Sequence, residues 1–197
     1  MDILQRIQHV LDEEAQAIRN VKVTPAFESA VEMLMHCRGK LLTTGMGKAG
    51  IIAHKFAVTL CSTGTPAVYL HPGEAAHGDL GIISRGDCLV AFSTSGKTRE
   101  VIELLKLGEH IGLGKVIGVT SHPDSQLRQH CDIIVEMGEI SEPCPLGLTP
   151  SASVAVMNAV ADAITLALME QKGITRHEYG LRHHGGYLGR KARLDND

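Results

Sequence analysis

Leu41-Leu42-Thr43-Thr44-Gly45-Met46-Gly47-Lys48-Ala49-Gly50 passes from an apolar run through a glycine turn into a helix-forming stretch, residues 49–61. Cys88-Leu89-Val90-Ala91-Phe92-Ser93-Thr94-Ser95-Gly96-Lys97-Thr98 repeats the arrangement, with residues 98–111 as its helix. Each turn is expected to end a parallel strand and open a helix, where backbone N–H groups and the helix dipole gather an anion. Two such cradles in one small domain point to a phosphorylated small molecule held between them.

Further apolar runs at 67–70, 116–120 and 133–135 join the strands at 41–44 and 88–93, and none alternates with polar residues. Runs buried on both faces belong to a parallel sheet with helices on each side. Helices or short turns are expected at 74–77, 125–130 and 151–171. Ahead of them Ile3, Ile7, Val10, Leu11 and Ile18 recur at helical spacing, and Thr24-Pro25 starts a second stripe of Phe27, Val31 and Leu34. The expected fold is therefore α/β, a doubly wound five-stranded parallel sheet flanked by helices in flavodoxin-like order, 2-1-3-4-5. In that order the crevice opens at the carboxyl ends of the first and third strands, the two that the glycine turns follow. The whole chain, 1–197, is read as one domain: helices in 1–38, sheet and helices in 39–172, and a tail at 173–197 that contributes to a site.

Composition narrows the class. The 197 residues suffice for a real core, and a net charge of −3 with interspersed signs offers no basic field for nucleic acid. No signal-peptide pattern opens the sequence, and no apolar run is expected to approach membrane-spanning length. Five cysteines, an odd number without a C-x-x-C pair, suit reduced thiols in the cytoplasm.

Gly45-x-Gly47-x-x-Gly50 has the spacing of a dinucleotide fingerprint, but the run Val68-Tyr69-Leu70-His71 supplies no acid for a ribose. A tight turn needing small residues explains the glycines equally well. Lys48 adds information: a cation at a helix N-terminus opposes the macrodipole by roughly 0.3–1 kcal/mol, which an anion in the cradle would relieve. Ser93, Thr94, Ser95 and Thr98 offer four hydroxyls, where simple capping needs one. Among the eleven histidines, His71, His77, His183 and His184 fall in glycine-rich loops. A metal at His77-Gly78-Asp79 after Glu74 is conceivable, although no catalytic-metal spacing supports it.

Several blocks together resemble the sugar isomerase (SIS) family and, within it, the D-arabinose 5-phosphate isomerases. They are Gly45–Gly50, Ser62-Thr63-Gly64-Thr65-Pro66, the stretch from His71 to Gly81, Ser93–Thr98 with Glu100, Cys144–Pro150, and Gly185-Gly186-Tyr187-Leu188-Gly189-Arg190. The resemblance implies interconversion of D-ribulose 5-phosphate and D-arabinose 5-phosphate through an enediolate. That product feeds Kdo synthesis for lipopolysaccharide or capsule. It implies catalytic positions at Lys48, Glu100, Glu142, His183 and His77. Substrate contacts are implied at Gly45, Gly47, Gly64, Thr65, His71, Ser93, Thr94, Ser95 and Thr98. No cofactor is implied, and zinc enters only as an inhibitor, at His71. It further implies a homotetramer with sites between subunits, and a form without the CBS domains that most members carry. Lys48-Ala49 stands where the family has Lys-Ser, and His183-His184 where it has His-Pro, so either histidine is open for the role. Glu142, beside Pro143 and Pro145, is the favoured proton carrier, with Glu100 positioning Lys48 or a sugar hydroxyl. Two other readings stay open: a non-catalytic phosphosugar-binding regulator and an isomerase of another phosphosugar.

Overall fold

Apolar runs that do not alternate need cover on both faces, and the computed structural model, which describes residues 2–183 and 185–193, provides it. The strands are β1 (Leu41–Gly45), β2 (Ala67–Tyr69), β3 (Cys88–Phe92), β4 (Lys115–Thr120) and β5 (Ile133–Glu136). All pair in parallel, in the order β2-β1-β3-β4-β5. The helices are α1 (Ile3–Arg19), α2 (Pro25–Met35), α3 (Gly47–Ser62), α4 (Pro72–Ala75), α5 (Arg99–Ile111), α6 (Ala152–Gln171), α7 (Arg176–Arg182) and α8 (Gly186–Arg193). Short 3₁₀ turns occupy Asp79–Ile82 and Gln126–His130.

Successive strand residues point to opposite faces, so each inner strand feeds two cores. Leu41, Val90, Phe92, Ile117 and Val119 pack with Leu34 of α2, Phe56 of α3 and Met157 of α6. Leu42, Leu89, Ala91 and Val116 pack with Val101, Leu104 and Leu105 of α5 on the other face. Uniform burial holds for the inner strands, with β1 and β3 buried throughout and β4 from Val116 onward. It fails for β2 and β5: each lacks a neighbour on one side and stays partly open.

The glycine turn is a packing device. A Cβ on Gly50 would stand 2.5 Å from the Gly45 carbonyl oxygen and 2.8 Å from the Tyr69 hydroxyl, so the third glycine lets α3 lie directly on β1. Tyr69 donates from that hydroxyl to the Gly45 carbonyl at 2.9 Å. Gly47, at φ +59°, takes the left-handed conformation that a side chain would strain.

One expectation needs correction: α6 is long and apolar enough by composition to cross a membrane. It is the central helix of this core, however, with Val156, Met157, Val160, Ile164 and Leu168 buried. The tail forms α7 and α8 although its apolar residues are scattered. Thr175 and Glu178 close a capping box that starts α7. α1 packs along α6 but buries no residue, leaving Ile3, Ile7 and Leu11 75%, 53% and 56% exposed.

Candidate active site

β1 and β3 are neighbours, and the turns that follow them open at the same end of the sheet. A cavity of about 320 Å³ lies there. Met46, Lys48 and Ala49 line it from the first turn, and Ser93, Thr94, Ser95 and Thr98 from the second. His122 enters from the segment after β4, and Pro150, Val154 and Met157 from the head of α6. The serine-threonine turn is internally braced. Ser93 Oγ and Thr98 Oγ1 share a 2.8 Å hydrogen bond, and Ser93 Oγ also accepts the Gly96 N–H at 3.1 Å. Gly96 sits at φ +61°, and a Cβ there would fall 1.8 Å from Ser125 Oγ. The result is a concave wall of hydroxyls facing the lysine at the head of α3, a geometry suited to an anion.

His71 follows β2 and caps α4, its Nδ1 accepting the Glu74 N–H at 3.3 Å. His77 is exposed just beyond α4. Glu100 stands half-buried in the first turn of α5, its side chain without a hydrogen bond among the described residues. Glu142 holds the head of α6. Its Oε2 accepts the N–H groups of Ser151 (2.7 Å) and Ala152 (2.9 Å), and its Oε1 that of Ser153 (3.2 Å). The carboxylate thus caps α6 and places Pro150 and Val154 on the cavity wall. From α1, Arg6 donates to the Pro143 carbonyl and Glu14 accepts from the Ser151 hydroxyl, fastening the same loop.

Within that loop Cys144 accepts the Thr149 and Leu148 N–H groups, both at 3.1 Å. Those bonds, Thr149's foremost, outweigh desolvation and bring its thiol down to about 7. Among the described residues no group of three or more His, Cys, Asp or Glu side chains could hold a metal ion.

His71, His77, Glu100 and Glu142 do not line the cavity, and the rest of the expected set lies elsewhere. Leu41 pairs with Ala67, so Thr65 lies beyond the amino edge of the sheet while Gly45 lies at its carboxyl edge. About six residues of strand rise, on the order of 20 Å, separate them. Thr65 Oγ1 accepts from Lys172 Nζ at 2.7 Å, just past the end of α6. A Cβ on Gly64 would stand 2.6 Å from Ile174 Cδ1 and 3.5 Å from Arg182 Nη2. His183 follows Arg182; its Nδ1 lies 3.0 Å from the Tyr179 carbonyl and its ring stacks on Tyr179 with centroids 4.0 Å apart. His184 lies outside the described residues. One chain therefore presents two groups: Lys48 with Ser93–Thr98 at one end, and Gly64, Thr65 and His183 gathered by the segment that follows α6.

Sequence reading missed His122, Pro150, Val154 and Met157. The topology held a signal for His122, because the segment after β4 emerges at the same end as the two turns.

Residues 33–167 match the model of the SIS domain. Arabinose 5-phosphate isomerase KdsD of Pseudomonas aeruginosa is 36% identical over 196 residues, covering 98% of this chain and 60% of that protein. The chain thus spans about three-fifths of that curated relative's length. A candidate phosphosugar isomerase involved in capsule formation, from Bacteroides fragilis, is a similar solved structure. It has a TM-score of 0.90 and 47% identity, covering 94% of this chain and 100% of the other. A protein of Escherichia coli CFT073 in complex with arabinose 5-phosphate has a TM-score of 0.87 and 39% identity, covering 93% and 100%.

Proposed function

The chain belongs to the SIS domain family, and on that premise we propose that it is an aldose–ketose isomerase interconverting D-ribulose 5-phosphate and D-arabinose 5-phosphate. The observation that carries the reading is the shared cavity of Lys48 and the Ser93–Thr98 turn. It fits a phosphate beside a reacting carbon, and it agrees with a relative named for this reaction and another in complex with arabinose 5-phosphate. We place its product in the supply of Kdo for lipopolysaccharide or capsule, and the enzyme in the cytoplasm, where its five free thiols fit.

In the proposed mechanism the Ser93–Thr98 turn holds the phosphate. A proton leaves the carbon next to the carbonyl, an enediolate forms, and the proton returns to the neighbouring carbon. Lys48 supplies the positive charge that steadies phosphate or enediolate oxygen. Glu142 carries the proton: a carboxylate offers about four acceptor directions, and its three bonds to α6 leave one. Glu100, its side chain without a hydrogen-bond partner among the described residues, orients Lys48 or a sugar hydroxyl. His77 and His183 serve ring opening and proton transfer between oxygens, and His71 and Gly64-Thr65 contact the sugar.

Because Gly64, Thr65 and His183 stand away from the Lys48 cavity, the complete site is assembled from two copies, and we propose a homotetramer. The open apolar stripe of α1 supports such assembly. Incubating the purified chain with ribulose 5-phosphate and a panel of other phosphosugars, with products identified by NMR, tests the reaction. Formation of arabinose 5-phosphate alone is expected; turnover of another sugar, or of none, would overturn it.

A further inference from the structure

We propose that His122 binds the substrate phosphate through Nε2 and takes up a proton as it does so, an assignment that rests on reading the cavity as a phosphosugar site. His122 and Lys48 are the two titratable side chains lining that cavity. The histidine is fastened to the phosphate turn itself. Its Nδ1 lies 3.0 Å from the Thr94 carbonyl oxygen, which only accepts, so Nδ1 carries the hydrogen. Its backbone N–H donates to Thr120 Oγ1 at 3.1 Å, and that hydroxyl donates in turn to the same Thr94 carbonyl, also at 3.1 Å. Ring and backbone are thereby anchored to one residue of the anion cradle, leaving Nε2 as the group with freedom to act.

The loop that carries His122 is also packed closely on the turn: Ser125, 8% exposed, lies against Gly96.

The fixed tautomer dictates the chemistry. With hydrogen on Nδ1, a neutral ring presents a lone pair at Nε2 and repels a fully ionised phosphate. A protonated ring presents Nε2–H and forms a charge-assisted hydrogen bond. Histidine is the side chain that changes charge between pH 5 and 8, so anion binding and proton uptake are coupled there. The charged and titratable groups around it are Lys48 at the head of α3, Lys97 and Glu100 at the head of α5, and Asp124 on its own loop. Glu136 at the end of β5, in register with Thr120, is the charged group on the neighbouring strand. Comparison with a His122 variant separates its part from theirs.

Sulfate keeps a constant charge from pH 6 to 8 and is the probe. Titration of the full chain, followed by the amide resonances of Ser95, Gly96 and Lys97, gives its affinity at this turn. The wild type is expected to bind about five- to tenfold more tightly at pH 6 than at pH 8. His122→Gln should lose that slope, and His122→Arg should bind tightly at both pH values. A flat wild-type profile, or a slope that survives in His122→Gln, overturns the assignment while leaving the anion site standing. Absence of any shift at these amides in the folded wild type overturns the phosphate reading, and the assignment with it.

Discussion

Lys172 donates from Nζ to the buried hydroxyl of Thr65 at 2.7 Å, at the opposite end of the sheet from Lys48. The 20 residues of α6 span about 30 Å, so one helix has its head on the cavity and its foot on the Gly64–Thr65 loop. Burial holds the Lys172 ammonium below its ordinary value. Lys172→Met should leave Thr65 without its donor and lower stability by about 1–2 kcal/mol, read from the urea midpoint. An unchanged midpoint would show that the bond does not hold the loop.

Asp87 provides a pH test of the fold. Its carboxylate accepts N–H groups of Lys40 and Ser84, each at 2.8 Å, and pairs with the Lys40 ammonium at 2.8 Å. Burial alone would push it up, but these partners together hold it below the usual carboxylate range. A depressed carboxyl stabilises the fold above its unfolded pKa, and that stability is lost as pH falls through the folded value. The wild type should therefore weaken below about pH 4, and Asp87→Asn should lose about 1–3 kcal/mol at pH 7 with a flatter acid limb. A variant as acid-sensitive as the wild type would sink this account.

Cys144 should be the first thiol alkylated. Its thiol lies at about 7, whereas burial pushes Cys88 and Cys131 up to about 12. Iodoacetamide labelling followed by peptide mass spectrometry should show a midpoint near pH 7 at Cys144 and slow reaction at Cys88 and Cys131. Uniform labelling of the three would contradict the backbone cradle around Sγ.

The inner strands were legible because Leu41–Gly45 and Cys88–Phe92 show no apolar–polar alternation, the pattern of a sheet covered on both faces. Position in the order made the cavity legible too, since Lys48 and Ser93–Thr98 follow adjacent strands. The tail was opaque because Leu181, Tyr187 and Leu188 remain exposed and carry no periodic stripe, although Thr175 and Glu178 did spell a cap. Glu142 was read for chemistry alone, because its capping of α6 joins residues nine to eleven apart through a loop no periodicity describes. His122 lay in no motif, and its tie to Thr94 is a tertiary fact.

Glu142→Gln separates anchor from base. Replacing one carboxylate oxygen with an amide removes an acceptor from the α6 terminus and should cost about 1 kcal/mol in stability. As proton carrier it should also lower kcat by about 10²–10⁴-fold with little change in KM, measured where the variant is fully folded. A folded variant within a few-fold of wild-type kcat would leave Glu142 as helix anchor and pass the base role to Glu100 or a histidine.

Mixing two inactive variants tests the central claim of a phosphosugar site completed across chains. Lys48→Met disables the cavity at the carboxyl end of the sheet, and His183→Ala disables the other group. After subunit exchange, demonstrated by native mass spectrometry, about a quarter of sites would combine an intact lysine with an intact histidine from another chain. Arabinose 5-phosphate formation should return toward that fraction of wild-type activity. No recovery in demonstrably mixed assemblies would contradict it.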